Sequence, residues 1–388
     1  MSDGGLLSGR LRRGDMSMSE KLSAISWSLI FWICIIAVIG FLMLYSAANG
    51  SFDPWTTRQV TRFILGLMML LIISLIDIRF VMRYAYAIYA IVLMMLIFVE
   101  LRGVVGGGAQ RWIDFAGIIN LQPSEFMKVA LVLALARYFH TLSAEDIGKP
   151  SFLIIPIAML LFPVILILRQ PDLGTALLVV MGAGVLFFMA GVKLWKFFSV
   201  IVASIIAIPV VWPLLAAYQQ KRILTFLSPE LDPLGAGYHI LQSKIAFGAG
   251  GLFGKGFMQG TQSHLNFLPE QQTDFIFTML AEEFGLVGGA TLIGLYVIVI
   301  TYGFAIALRC RHQFGRLVAI GVTTTFFLYV FINVAMVMGL IPVVGVPLPL
   351  ISYGGTALLT IMLCMGLLMS VHVHRDVQLG VHGGFDHS

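Results

Sequence analysis

The sequence predicts an all-α, polytopic membrane protein, and three observations carry that class. The 388 residues are 59% hydrophobic and only 11% charged, with a mean hydropathy of +0.96, which excludes an ordinary soluble globule. Apolar runs of roughly 17–25 residues, the length that crosses a bilayer, recur along the chain. The runs lack the period-two alternation of a barrel strand, so helices are left to satisfy the backbone in lipid.

About ten such runs occur, at 27–47, 60–77, 82–100, 124–140, 151–168, 173–191, 197–217, 284–308, 316–339 and 353–373. Residues 1–26 precede them as a polar tail carrying Arg10, Arg12, Arg13 and Lys21. The run from Trp27 is long and further spans follow, so the first span is expected to act as an uncleaved anchor rather than a signal peptide. Residues 27–375 are expected to form a single membrane domain and 376–388 a flexible tail. Basic residues beside spans mark the cytoplasmic side. Arg79, Arg83, Arg137, Lys149, Lys193, Lys196, Arg309, Arg311, Arg316 and Arg375 fall on the same side as the N-terminal cluster. Both termini are then cytoplasmic, and one long loop, about 218–283, is extracytoplasmic.

The formal charge of +5 is modest. It fits anionic lipid at the cytoplasmic face, and without a dense basic patch it excludes nucleic acid as a partner. Cys34, Cys310 and Cys364 lie in or beside apolar runs with neither a disulfide nor a metal-site spacing.

The outer segments are read in order. Residues 48–59 lead to Arg58 and Arg62, whose default reading is snorkelling to the interface. Residues 102–128 contain three successive glycines and Trp112, which suggest a tight interfacial turn, then Gln122-Pro123-Ser124-Glu125. Proline followed by an acid is a helix-start signal that capping alone explains. Lys128 shares a helix face with Glu125, as an ion pair or as a charged lining of a site. Residues 169–175, RQPDLGT, repeat that logic with Asp172 as a cap and Arg169 beside it. In the long loop, 238–247 reads as an amphipathic interfacial helix. The following GAGGLFGKG lacks the phosphate-loop pattern, so its glycines serve tight turns and close backbone approach. Pro342, Pro347 and Pro349 with Gly345, Gly354 and Gly355 forbid a continuous helix over 339–356. This stretch is a re-entrant connector or one wall of a cavity.

Charge near a bilayer sits where function requires it. Residues 266–283, NFLPEQQTDFIFTMLAEE, place Glu270, Asp274, Glu282 and Glu283 at the entrance of an apolar run. Asp274 is the best candidate for chemistry there; its bland alternative is a helix cap.

GAQRWI, QPSEFMK, QPDLGT, GYHILQSKIAFGAGGLFGKG, LPEQQTDFIF, AEEFGLVGG and PLPLISYGG occur in this order. Over about residues 25–375 they resemble the SEDS family of bacterial cell-wall proteins (shape, elongation, division and sporulation). PVVGVPLPLISYGGT and the short N-terminal tail favour its elongation branch over its division branch. The resemblance implies ten spans in the cytoplasmic (inner) membrane and glycosyltransferase activity on lipid II. It further implies a complex with a class B penicillin-binding protein among other elongation proteins. It also implies that the acidic residue of the TDF stretch, Asp274, is the catalytic residue.

For that chemistry a carboxylate must take a proton from a sugar hydroxyl, and cations must meet a lipid pyrophosphate. Arg111, Lys128, Arg169, Arg222 and Lys244 are the candidates, with Glu125 and Asp172 beside them. Were 274–283 one helix, Glu282 would lie about 12 Å along its axis from Asp274. That is too far for the roughly 5–5.5 Å pair of a retaining mechanism. A single inverting displacement is expected, with Glu282 and Glu283 as structural partners. A divalent cation is compatible with the acidic cluster, but no ligand spacing demands one. A lipid II flippase and a non-catalytic scaffold are the competing readings.

Overall fold

The structure is a computed structural model describing residues 16–106, 109–115, 119–143, 145–215, 217–228, 236–261 and 270–380. Parts of the predicted tails (1–15 and 381–388) and of the long loop (229–235 and 262–269) lie outside these. A short α1 (Met18–Ser23) precedes α2 (Trp27–Ala47), α3 (Thr56–Leu75) and α4 (Ile78–Arg102). Three short strands follow, β1 (Val104–Gly106), β2 (Ala109–Phe115) and β3 (Ile119–Leu121). Then come α5 (Pro123–His140), α6 (Pro150–Arg169), α7 (Leu173–Ala190) and α8 (Leu194–Val211). The long loop holds α9 (Ala217–Leu227) and α10 (Ala236–Gly250). The chain closes with α11 (Ile276–Arg309), α12 (Gln313–Val337) and α13 (Gly355–Val373).

Each of the ten apolar runs becomes a helix, and the chain is a multi-pass membrane protein. Among the described residues nine of these helices are long and apolar enough to span a bilayer. The tenth, α5, is as long but carries Glu125, Lys128 and Arg137. The fold explains why it tolerates them. α5 is buried along nearly its whole length, packed on α4, α7 and α12, so its charges meet protein rather than lipid. At the other extreme, α8 buries no residue within the chain.

The all-α class holds, with one small addition. β1–β2–β3 form a small antiparallel sheet, with Val104 opposite Trp112 and Ile113 opposite Leu121. β1 and β3, at three residues each, are too short for a period-two signal.

The acidic loop end also differs from expectation. α11 begins at Ile276, before the predicted 284, and breaks at Gly285 (φ 65°, ψ −160°), a backbone region that favours glycine. A break at membrane depth frees backbone groups that must find partners. The glycine-rich stretch supplies them. Lys255 and Gly256 N–H donate to the Glu282 and Glu283 carbonyls at 3.0 Å, and Leu286 and Val287 N–H donate to Gly251 and Leu252 at 3.0 and 3.1 Å. A Cβ on Gly254 would lie 2.1 Å from the Glu283 oxygen, so close backbone approach is the reason for glycine there. Glu282 and Glu283 are fully buried. Lys255 pairs with Glu282 at 3.0 Å, and Ser46 Oγ donates to Glu283. They are structural partners, as expected.

α10 does not only lie on a surface. It buries Ser243 and Ala246, and Ser243 Oγ lies 2.8 Å from both Thr278 Oγ1 and the Val337 carbonyl. At the opposite end, part of the predicted flexible tail is ordered. Arg311 N–H donates to the Arg375 carbonyl and Val377 is buried.

Candidate functional site

A cavity of about 250 Å³ opens at the end of the bundle that carries the sheet and the acidic turn. Its walls come from β2, the starts of α5 and α7, the 273–274 turn, Tyr329 of α12, and residues 345–347 and 353–357. The proline- and glycine-broken segment is thus a cavity wall, not merely a connector.

Asp274 lies on this wall just before α11. It does not cap that helix: the N-cap is Phe275, with no side-chain cap bond. Among the described residues no hydrogen bond engages its carboxylate, but its backbone is held firmly. Asn333 Nδ2 donates to the Asp274 carbonyl at 3.0 Å and to that of Val346 at 2.7 Å. Ser352 Oγ donates to the Thr273 carbonyl at 2.6 Å, and Tyr353 N–H to that of Gln272 at 2.8 Å. Burial pushes the Asp274 carboxyl up to about 6, the Glu270 carboxylate adds to this, and Arg222 opposes it. A base that titrates near the working pH suits proton abstraction.

The two Gln-Pro-acid motifs meet. Gln122 Nε2 donates to Asp172 Oδ2 at 2.9 Å, while Asp172 Oδ1 accepts from Thr175 N–H at 3.1 Å and caps α7. Arg111 Nε donates to the Gln170 carbonyl at 2.9 Å, and its Nη2 to that of Pro171. Arg111, Glu125, Asp172 and Asp274 all line the cavity, and Arg222 is near enough to act on Asp274.

The remaining candidates fall elsewhere. Lys128 is buried and is not on the cavity wall. Its Nζ donates to Glu125 Oε1 at 2.6 Å and to the Tyr329 hydroxyl, which donates in turn to Glu125 Oε2. The ion-pair alternative therefore describes Lys128. Arg169 and Lys244 are exposed and do not reach the cavity. A charge in an outer segment reveals its depth but not its direction, which is why both were candidates. Tyr329 and Asn333 carried no signal in the sequence, while Trp112 and Thr175 were read only as parts of a turn and of a helix start. They are ordinary helix or sheet residues until the fold brings them together. Among the described residues no group of three or more His, Cys, Asp or Glu side chains gathers closely enough to hold a metal ion.

The chain is similar in sequence and in fold to known proteins. The family profile for FtsW, RodA and SpoVE, described as "Cell cycle protein", matches residues 26–377. The chain is 44% identical to the peptidoglycan glycosyltransferase MrdB of Escherichia coli (strain K12) over 345 residues, covering 87% of this chain and 92% of that protein. Its fold is similar to a chain in a solved peptidoglycan synthase complex that coordinates polymerization and crosslinking. There the TM-score is 0.77 at 32% identity, over 90% of this chain and 98% of that one. It is also similar to the rod shape determining protein RodA of Thermus thermophilus, with a TM-score of 0.68 at 29% identity over 90% and 97% of the two chains.

Proposed function

This chain belongs to the FtsW/RodA/SpoVE family, and on that premise we propose that its cavity joins lipid-linked sugar units with Asp274 as general base. The protein is a peptidoglycan glycosyltransferase of cell elongation. The substrate proposed here is lipid II. Its acceptor hydroxyl attacks the anomeric carbon of the other unit, and that carbon's bond to the pyrophosphate oxygen breaks. The pyrophosphate leaves with the bonding electrons, and Asp274 takes the hydroxyl proton. A positioned base contributes roughly 10²–10⁴-fold.

The observation that carries this reading is the Asp274 carboxylate, raised to about 6 and free of hydrogen bonds on the cavity wall, among the described residues. The other cavity acids are occupied: Glu125 by Lys128 and Tyr329, Asp172 by Gln122 and the start of α7. With one available carboxylate, a single inverting displacement follows. Arg111, held by two carbonyls on the wall, and Arg222 supply positive charge toward the pyrophosphate.

The proposed partner is a class B penicillin-binding protein, the transpeptidase that crosslinks the new glycan. The test is to mix the purified protein, that transpeptidase and labelled lipid II in detergent. Glycan polymer, increased by the partner, is the expected product. The buried Glu125–Lys128 pair is a feature that a flippase would also carry. Detergent leaves no bilayer to flip across, so polymer excludes transport as the sole activity, and its absence would remove the transferase reading.

We further propose that the protein sits in the bacterial cytoplasmic membrane, with both termini and the Lys193 turn cytoplasmic and the cavity end outside. A cysteine introduced at position 262 should react with an impermeant reagent in intact cells, and its protection would reverse the orientation.

A further inference from the structure

A general base works only from a fixed place, and a side chain behind the cavity wall holds Asp274 in its place. Asn333 lies on α12, one turn beyond Tyr329, and is fully buried. Its neighbours in the chain are Phe331, Ile332, Val334 and Ala335. A carboxamide in such surroundings is costly unless bonded. Its bonds leave its own helix. Nδ2 donates to the Asp274 carbonyl at 3.0 Å and to the Val346 carbonyl at 2.7 Å. Asp274 precedes α11, and Val346 lies in the proline- and glycine-broken segment before α13. The carboxamide nitrogen brings two N–H donors to one point without a charge. Turning the amide round would set Oδ1 against two carbonyl oxygens, so the network fixes which end faces them. Oδ1 itself has no partner among the described residues, a cost that the two donor bonds offset.

The two carbonyls belong to the two sides of the base. The Asp274 carboxylate rests against Gly345, where a Cβ would lie 3.5 Å from Oδ2. Gly345 has φ +72°, a conformation that favours glycine, and Val346 follows it directly. One amide therefore fixes both the main chain that carries the carboxylate and the wall the carboxylate lies on. The Ser352 and Tyr353 bonds hold Thr273 and Gln272, one and two residues earlier, whereas Asn333 holds Asp274 itself. Burial and neighbouring charge act on the carboxylate, but among the described residues no hydrogen bond does. Its position is set through its main chain.

We infer that Asn333 is a positioning residue for the transfer reaction, its amide clamping Asp274 to the 345–347 wall so that the carboxylate meets the acceptor hydroxyl. The inference rests on the proposed general-base reading and adds what fixes that base. Asn333 touches no substrate, so its effect passes through Asp274. A base must come within about 2.6–3.2 Å of the atom whose proton it takes. A misplacement of about 1 Å, caused by a change away from the chemistry, can cost about 10²-fold. Removing the amide orphans two buried carbonyls. They would turn toward water and carry the Asp274 segment with them, leaving the carboxylate less buried and less well aimed.

The test is steady-state polymerisation of lipid II by the purified full-length protein with its transpeptidase, followed against pH for Asn333→Leu and Asn333→Ser. Leucine is similar in shape but has no donor. Serine is too short to bridge both carbonyls and gives a second variant should leucine fold poorly. Each should lower kcat about 10–100-fold and leave KM within about threefold, since only the aim of the base has changed. The midpoint of the pH rise should fall below the wild-type value of about 6, because a carboxylate that meets water ionises more readily. Asn333→Gln keeps both N–H donors and should stay closer to wild type than either. In an Asp274→Asn background, Asn333→Leu should add less than about a twofold further loss, because residues that act as a unit are not additive. Unchanged kcat and midpoint in both single variants would overturn the inference, while an inactive Asp274→Asn would still uphold the base. A lower kcat with an unmoved midpoint, or an undiminished further loss in the Asp274→Asn background, would make Asn333 a structural brace and overturn it as well. Wild-type polymerisation by Asp274→Asn would remove the base and the positioning role together.

Discussion

Asp274→Asn should abolish glycan polymerisation, with a loss of roughly 10²–10⁴-fold, while the protein still folds and still binds its transpeptidase. Asparagine keeps the shape of the side chain but cannot take a proton from the attacking hydroxyl. The usual objection, that an acid before a helix is a cap, does not hold here because Phe275 occupies the cap position and no side chain caps α11. The wild-type pH profile gives a second readout. Burial raises the carboxyl to about 6. The base must be ionised to work, so the rate should climb through pH 6 and level off above it. Neutralising Glu270 removes a charge that pushes the carboxyl up, so Glu270→Gln should move the rise to lower pH. Stability runs the other way. An acid whose folded pKa lies above its unfolded value of about 3.9 stabilises the fold at low pH and loses that contribution as pH rises toward 6. Asp274→Asn should therefore melt no lower than wild type at pH 8. Wild-type polymerisation by this variant would remove the general-base assignment, and a collapse in its melting temperature would return Asp274 to a structural role.

The ten helices were legible because their signal is long: about twenty apolar residues in a row outweigh any local detail. Asp274 was legible for the complementary reason, as an acid at the mouth of such a run. What stayed hidden is pairing between distant segments. Nothing local tells that Glu283 meets Ser46, that Tyr329 completes a triad with Glu125 and Lys128, or that Arg62 stacks on Tyr353. The role of the glycine-rich stretch was half legible. Its glycines announced close approach, but the backbone they approach, the break of α11 at Gly285, was visible only in the fold. Direction failed where depth succeeded, as Arg169 and Lys244 show.

These hidden pairings share a physical logic. The cavity is built from irregular backbone at the end of an apolar bundle, and each of its bends leaves carbonyls without helical partners. Buried polar side chains take up that role: Asn333 for Asp274 and Val346, and Gln59 Nε2 for the Ser352 carbonyl at 2.9 Å. Such groups are costly to bury unless bonded, so they fix the walls around Asp274 more tightly than apolar packing alone.

Lys128→Met should cost about 3–5 kcal/mol of stability, because it leaves the Glu125 carboxylate buried without its counter-charge. Lys128 sits behind the cavity wall, its side chain 2% exposed and its Nζ 2.6 Å from Glu125, while Glu125 and Tyr329 face the cavity. Its part in any reaction therefore passes through them. Single Lys128→Met should lose thermal stability and polymerisation together. Adding Glu125→Gln removes the orphaned charge, and the double variant should regain most of the melting temperature, since an ion pair replaced as a unit is often neutral. Polymerisation should stay low, because the charged, doubly held Glu125 at the cavity edge is gone. Thermal melts and the lipid II assay on the same three preparations separate the two effects. Full recovery of polymerisation by the double variant would make the triad a purely structural brace of α5 and α12. An undiminished melting temperature in Lys128→Met would show that the carboxylate was never dependent on the lysine.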